Sequence, residues 1–413
     1  MAKRKMKNVD KDRKQIDKLK IREIILGKTA LGRRNRMTPR ERMLTALGHR
    51  EPDRVPIDLG GNSTGIEVEA YNRLKSLIGF QGETKTFVRD HVEIDEPILE
   101  RFGVDTRYLR LGPPKGYHLK IEPDHSYLDI WGTRWKKPPS SFYWDMVAYP
   151  IAEPTLEALR RYPWPDPRDP GRTEGLKDRA RKLYETTDYA LVMDAGGFGI
   201  FETGWMLRGF ENFLMDLAAE PKFAEALMQG VADYYIALYD RVLAEVGEYL
   251  QVVMIGDDLG TQNGPMISLE TYRKLVKPSQ KRVWQFLKSK TKAYLFLHSC
   301  GSVRKLIPEF IELGLDILNP VQVAAKDMDP KELKREFGKD LTFWGGGCDT
   351  QKVLTFGTPD EVEKEVRRRI ADFAPGGGFV FNQIHNIQPQ VPPENILRMF
   401  ETVLQYGVYP IRA

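Results

Sequence analysis

The fold is decided by two short stretches, Gln251-Val252-Val253-Met254-Ile255-Gly256-Asp257-Asp258 and Ala293-Tyr294-Leu295-Phe296-Leu297-His298-Ser299-Cys300-Gly301. Each is an apolar run of strand length that ends abruptly in polar residues, the pattern of a strand buried on both faces and exposed only at its carboxyl end. Six further runs of this kind occur: Val55–Asp58, Thr106–Arg110, Tyr189–Asp194, Asp316–Asn319, Leu341–Gly345 and Phe379–Asn382. Amphipathic helical segments separate the later runs, for example Ser302–Leu313 and Pro359–Ala374, the latter entered through Thr358 as N-cap with Pro359 at the first helical position. Eight β/α units predict a closed (β/α)8 TIM barrel of the α/β class.

The ordered body is expected to begin at Thr38-Pro39-Arg40-Glu41, where Thr38 and Glu41 make a capping box in front of Met43, Leu44, Ala46 and Leu47. Residues 1–36 read as a separate basic N-terminal arm, and 37–413 as the barrel. The arm holds fourteen Lys/Arg against four Asp/Glu, so the chain's net charge of +5 hides an acidic body. That balance argues against a nucleic-acid partner for the body. The apolar stretch Ile24-Ile25-Leu26 is too short for a secretory signal, and no run reaches the ~18 apolar residues of a membrane span. Two cysteines in 413 residues exclude a disulfide scaffold and fit a cytoplasmic location. The residues leave assembly as a homo-oligomer open.

One stretch breaks the β/α rhythm. Residues 112–187, between the second and third strands, carry Pro113-Pro114, Pro138-Pro139 and a further series of prolines, with Trp131, Trp135 and Trp144 among them. Prolines at that density exclude a long helix, so this is an insertion of loops and a hairpin ending in a helix near Leu176–Tyr184. It is either a lid over one end of the barrel or a decoration packing its own tryptophans.

A (β/α)8 barrel places chemistry where its strands end. After the fourth strand come Asp257 and Asp258. Adjacent residues of an extended chain face opposite ways, so one of the two points inward, as an acid/base group or substrate ligand, and the other away. Asp258 is taken as catalytic and Asp257 as substrate-binding. After the fifth strand come His298 and Cys300, two apart and therefore on one face. After the seventh comes Gly345-Gly346-Gly347-Cys348-Asp349, and Asn382 and His385 lie at the end of the eighth. His298, Cys300 and Cys348 offer imidazole, thiolate and thiolate, three corners of a zinc tetrahedron with the fourth open. His385 is assigned to catalysis and Asn382 to substrate. Glu202 and Arg208 follow the third strand and are expected to line the mouth.

Several of these segments resemble a known family. The opening Met37-Thr38-Pro39-Arg40-Glu41-Arg42 with Arg54-Val55-Pro56, the block His298-Ser299-Cys300-Gly301, the run Asp316-Ile317-Leu318-Asn319-Pro320-Val321-Gln322 and Pro392-Pro393-Glu394-Asn395-Ile396 are similar to the uroporphyrinogen decarboxylase superfamily. The likeness covers about residues 37–409. Within the superfamily the chain resembles the branch of corrinoid-dependent methyltransferases. That resemblance implies a (β/α)8 barrel, zinc bound by His298, Cys300 and Cys348, and methyl transfer between a small methylated compound or thiol and a corrinoid (cobalamin) carried by a separate corrinoid-binding protein. The Arg-rich signature with which uroporphyrinogen decarboxylases grip carboxylates is replaced by Leu59-Gly60-Gly61-Asn62-Ser63. The alternative is a metal-free decarboxylase of a tetrapyrrole or small acid, with Asp258 stabilising a protonated pyrrole. A third reading is a binding protein that kept the barrel without its chemistry.

Overall fold

The computed structural model describes residues 36–412 apart from 140 and 197, so the basic arm lies outside the described residues except for Arg36. Helix Pro39–Leu47 opens the body on the expected capping box: the Thr38 hydroxyl accepts from the Glu41 N–H, and the Glu41 carboxylate takes the Thr38 N–H at 2.8 Å. In chain order the strands are β1 (Lys85–Val88), β2 (His91–Glu93), β3 (Thr106–Arg110), β4 (Ser126–Leu128), β5 (Arg134–Lys136), β6 (Asp145–Ala148), β7 (Ala190–Asp194), β8 (Val252–Gly256), β9 (Tyr294–His298), β10 (Ile317–Asn319), β11 (Thr342–Trp344) and β12 (Phe379–Val380).

Strands β3 and β7 to β12 pair in parallel, in chain order, as one curled sheet. The first expected strand, 55–58, closes the ring without forming a regular ladder. Asp58 N–H donates to the Phe381 carbonyl (2.9 Å) and Phe381 N–H to that of Pro56 (2.8 Å), while on the other edge Asp105 N–H donates to the Ile57 carbonyl (2.8 Å). Pro56 has no N–H to give, which breaks the ladder where the sequence predicts a strand.

Alternation along the strands creates two cores. Tyr108, Val192, Val252, Met254, Phe296, Ile317, Trp344 and Val380 fill the barrel interior, joined by Met43 and Leu47 of the first helix. That helix is tied by Arg40 N–H to the Asp188 carbonyl just before β7, so it plugs the N-terminal end. Leu109, Leu191, Met193, Val253, Leu295, Leu297 and Leu318 face outward under the helices. The C-terminal end is left for polar side chains.

The insertion forms an antiparallel sheet β4–β5–β6 followed by helices Leu156–Arg161 and Leu176–Thr186. Its tryptophans do not pack only on one another. Trp131 lies against Tyr234 of helix Pro221–Val246, ring centroids 4.4 Å apart, and Trp144 Nε1 and Lys137 Nζ both donate to Asp90 at the turn of the β1–β2 hairpin (3.1 and 2.7 Å). This hairpin is absent from the sequence reading, because its polar, half-exposed residues carry no apolar run. Its β2 begins with His91, so the insertion braces a hairpin that reaches the catalytic end.

Candidate metal centre

His298 ends β9 on the inward parity of Phe296. Its Nδ1 lies 2.6 Å from Asn319 Oδ1 at the end of the neighbouring β10, and Asn319 Nδ2 donates to the Trp344 carbonyl at 2.8 Å. The second bond fixes which end of the amide faces the imidazole. Nδ1 therefore carries the ring proton and Nε2 presents a lone pair, the tautomer a metal-binding histidine needs. Cys300 Sγ is 3.4 Å from that Nε2.

The third donor is His385, whose ring is 5.2 Å from that of His298, centroid to centroid. Among the described residues, His298, Cys300 and His385 form the group of three donors whose ligand atoms all lie within 4.8 Å of one another. His385 has φ +62°, a left-handed backbone uncommon for a residue that bears a side chain. Burial, helped by His298 and His91, pulls its pKa down to about 3, so the ring is neutral. Its Nδ1 accepts the Asn386 N–H at 2.8 Å.

Cys348 is not brought to this group. The preceding Gly345 and Gly346 have φ +96° and +75°, so the chain leaves strand geometry before it reaches the thiol. The side chain is fully buried in the outer core, where it feels the charges of Glu365 and Arg369 on helix Pro359–Phe373. The expected His298–Cys300–Cys348 triad is thus replaced in this geometry by one that uses His385.

Other expected residues divide in the same way. Asp258 reaches the site: its Oδ1 accepts the Cys300 N–H at 2.8 Å. Asp257 faces away, and its carboxylate accepts the N–H groups of Ile200, Phe201 and Glu202 and the Gln280 amide (2.6 Å). It caps helix Ile200–Arg208 instead of meeting substrate, and burial raises its pKa to about 6. Arg208 is also structural, paired with Asp216 at 2.8 Å beneath the surface. Glu202 lines the mouth and accepts the Asp258 N–H; burial, then the Asp258 and Asp257 charges, push it well above the usual carboxylate range. The Cys300 thiol is pushed up for like reasons, by burial and then by Asp258 and Glu202. Asn382 holds the Asp58 carbonyl at 3.1 Å, and its Oδ1 is buried without a partner among the described residues.

A ring of side chains missed in the sequence surrounds the cluster. His91 Nδ1 meets Asn62 Oδ1 at 3.0 Å and its Nε2 meets Glu67 at 3.2 Å, while Asn386 Nδ2 donates to the Asn62 carbonyl at 2.8 Å. Asn319 was visible inside the run Asp316–Gln322, and its place at a strand end beside His298 was the available signal. His91 had none, since its hairpin went unrecognised.

The donor chemistry suits a borderline-soft divalent ion such as zinc: two imidazoles and a thiol, no carboxylate in the set, and partial exposure of Cys300 and His385 toward the mouth. No helix among the described residues is long and apolar enough to cross a membrane.

The comparisons agree with this architecture. The family model for uroporphyrinogen decarboxylase (URO-D) matches residues 147–406. Uroporphyrinogen decarboxylase of Chlorobium phaeobacteroides is 24% identical over 195 residues, 46% of this chain and 51% of the relative. That of Geotalea daltonii is 26% identical over 190 residues, 43% and 50% of the two chains. The chain thus spans about half the length of the curated relatives it matches. A methyltransferase from Methanosarcina mazei superposes with TM-score 0.58 over 89% of this chain and 98% of its own at 16% identity, a likeness of fold. With its family model matched over more than half of its length, the chain belongs to the uroporphyrinogen decarboxylase (URO-D) family.

Proposed function

We propose that the protein is a zinc-dependent methyltransferase that moves a methyl group between a small methylated compound or thiol and a corrinoid presented by a partner protein in the cytoplasm. The observation that carries this reading is the donor group His298–Cys300–His385 at the barrel mouth, with His298 Nε2 freed for a metal by the Asn319 contact. Those three residues would hold the ion and leave a fourth position toward the mouth. Zinc bound there would supply Lewis acidity, taking a thiol as its thiolate or polarising the heteroatom of a methyl donor.

The remaining chemistry belongs to the chain. Asn319 orients His298, and Asp258 fixes the Cys300 backbone. His385, whose ring is positioned by the Asn386 N–H, would be the second imidazole ligand. Glu202, its carboxyl pushed well above the usual range by burial and by its acidic neighbours, can hand a proton to the heteroatom that loses its methyl group. The β1–β2 hairpin, braced by the insertion through Asp90, forms one wall of the mouth.

The second reading, a metal-free decarboxylase, draws on the curated relatives. Both are tested by offering zinc-loaded and zinc-stripped protein methylcobalamin or cob(I)alamin with a panel of thiols, aryl methyl ethers and methylamines, and separately uroporphyrinogen. Zinc-dependent interconversion of the methylcobalt and cobalt(I) absorption bands is expected. Loss of carbon dioxide from uroporphyrinogen by the stripped protein would establish the second reading instead.

A further inference from the structure

Arg110 ends β3, two residues beyond the inward-facing Tyr108, and so turns into the barrel mouth. Its guanidinium lies 3.8 Å from the ring centroid of Phe87 in the β1–β2 hairpin and 5.4 Å from that of Tyr108. One Nη donates to the Gly60 carbonyl. Its Nε is buried and has no partner among the described residues. Asp194, its neighbour across the β3–β7 register, spends its carboxylate on the N–H groups of Asn62 and Gly196 (2.8 and 3.0 Å).

Arg89 and Arg172 also have an unpartnered Nε, whereas the most buried arginines are ion-paired. Arg42 pairs with Asp53 and Asp105, Arg208 with Asp216, and Arg369 with Glu365. A desolvated guanidinium with no carboxylate at ion-pair distance, Asp194 acting on it only through space, is costly, and here it faces the end of the barrel where chemistry takes place. Its free edge is the fork that recognises a carboxylate.

The geometry also links this fork to the metal centre. Gly60 holds Arg110, and Asn62 touches both His91 and Asn386, the residue after His385. The guanidinium and the donor cluster thus border one and the same loop at the barrel mouth.

We propose that Arg110 binds a carboxylate of the small-molecule substrate, which makes that substrate an organic anion, with Phe87 covering the guanidinium face. As a statement about the methyl-bearing compound this rests on the methyltransferase reading, but its test does not. Zinc-loaded and zinc-stripped full-length protein, without corrinoid, is titrated with benzoate and with benzamide, equal in shape and different in charge, by calorimetry. Saturable benzoate binding, at least about tenfold tighter than benzamide, is expected, with that preference lost in Arg110→Gln, the scale of a charged hydrogen bond. Arg110→Lys keeps the charge without the fork, and is expected to bind benzoate several-fold more weakly even if Arg110→Gln does not fold. Equal binding of the two probes, no saturable benzoate binding up to about 50 mM, or full benzoate affinity in either variant would overturn the proposal. Absence of methyl transfer alongside positive binding would count against the reaction and not against this site.

Discussion

The Nδ1 of His298 and the Oδ1 of Asn319 face each other at 2.6 Å across the ends of two paired strands, and this contact sets which nitrogen of the histidine is left free. Asn319 cannot reverse its role without breaking the hydrogen bond from its Nδ2 to the Trp344 carbonyl. Partners of this kind typically contribute 10–100-fold to metal affinity. Asn319→Ala should therefore weaken zinc binding by about that factor in a competition titration with a chelating dye, and Asn319→Asp should weaken it less. Unchanged affinity in Asn319→Ala would mean that His298 is oriented by something else.

Zinc uptake should release protons in a way the local electrostatics specify. Burial and the Asp258 charge keep the Cys300 thiol protonated at neutral pH, whereas His385 is neutral down to about pH 3. The thiolate is the ligand, so binding at pH 7 should expel about one proton per zinc, and affinity should fall about tenfold for each unit of pH lowered toward 6. Calorimetry in buffers of different ionisation enthalpy measures the count. Cys300→Ser should abolish the release.

Asp257 should govern acid stability in the opposite sense to a salt-bridged carboxylate. Its pKa is raised to about 6 from 3.8, so between those values the folded protein holds a proton that the unfolded chain has lost. Stability contributed by this group is present below about pH 4 and is lost as pH rises to about 6, about 3 kcal/mol in all. Asp257→Asn keeps a carbonyl oxygen for the helix N-terminus, and should flatten this part of the pH–stability curve measured by urea unfolding.

The positions of these groups show what the sequence could convey. Strand ends were legible because an apolar run stops at His298, Gly256 and Asn319, and alternation alone separates inward Asp258 from outward Asp257. Which element Asp257 would cap was not legible: it serves helix Ile200–Arg208, more than fifty residues earlier in the chain. Arg208 looked like a mouth residue by spacing, but its partner Asp216 draws it into the core. Cys348 was expected as the third donor and His385 as a catalytic group, because both follow strands and local residues do not reveal where a run of positive-φ glycines will turn a side chain. The hairpin carrying Phe87 and His91 is too polar to announce itself, although it forms one wall of the site.

If His298, Cys300 and His385 hold the metal, the zinc content of purified variants must follow them. Protein prepared without chelator should carry about one zinc per chain. His385→Ala should lose most of this zinc while keeping its fold by circular dichroism, and Cys348→Ala should retain it. Full zinc in His385→Ala together with loss in Cys348→Ala would return the third ligand to the thiol.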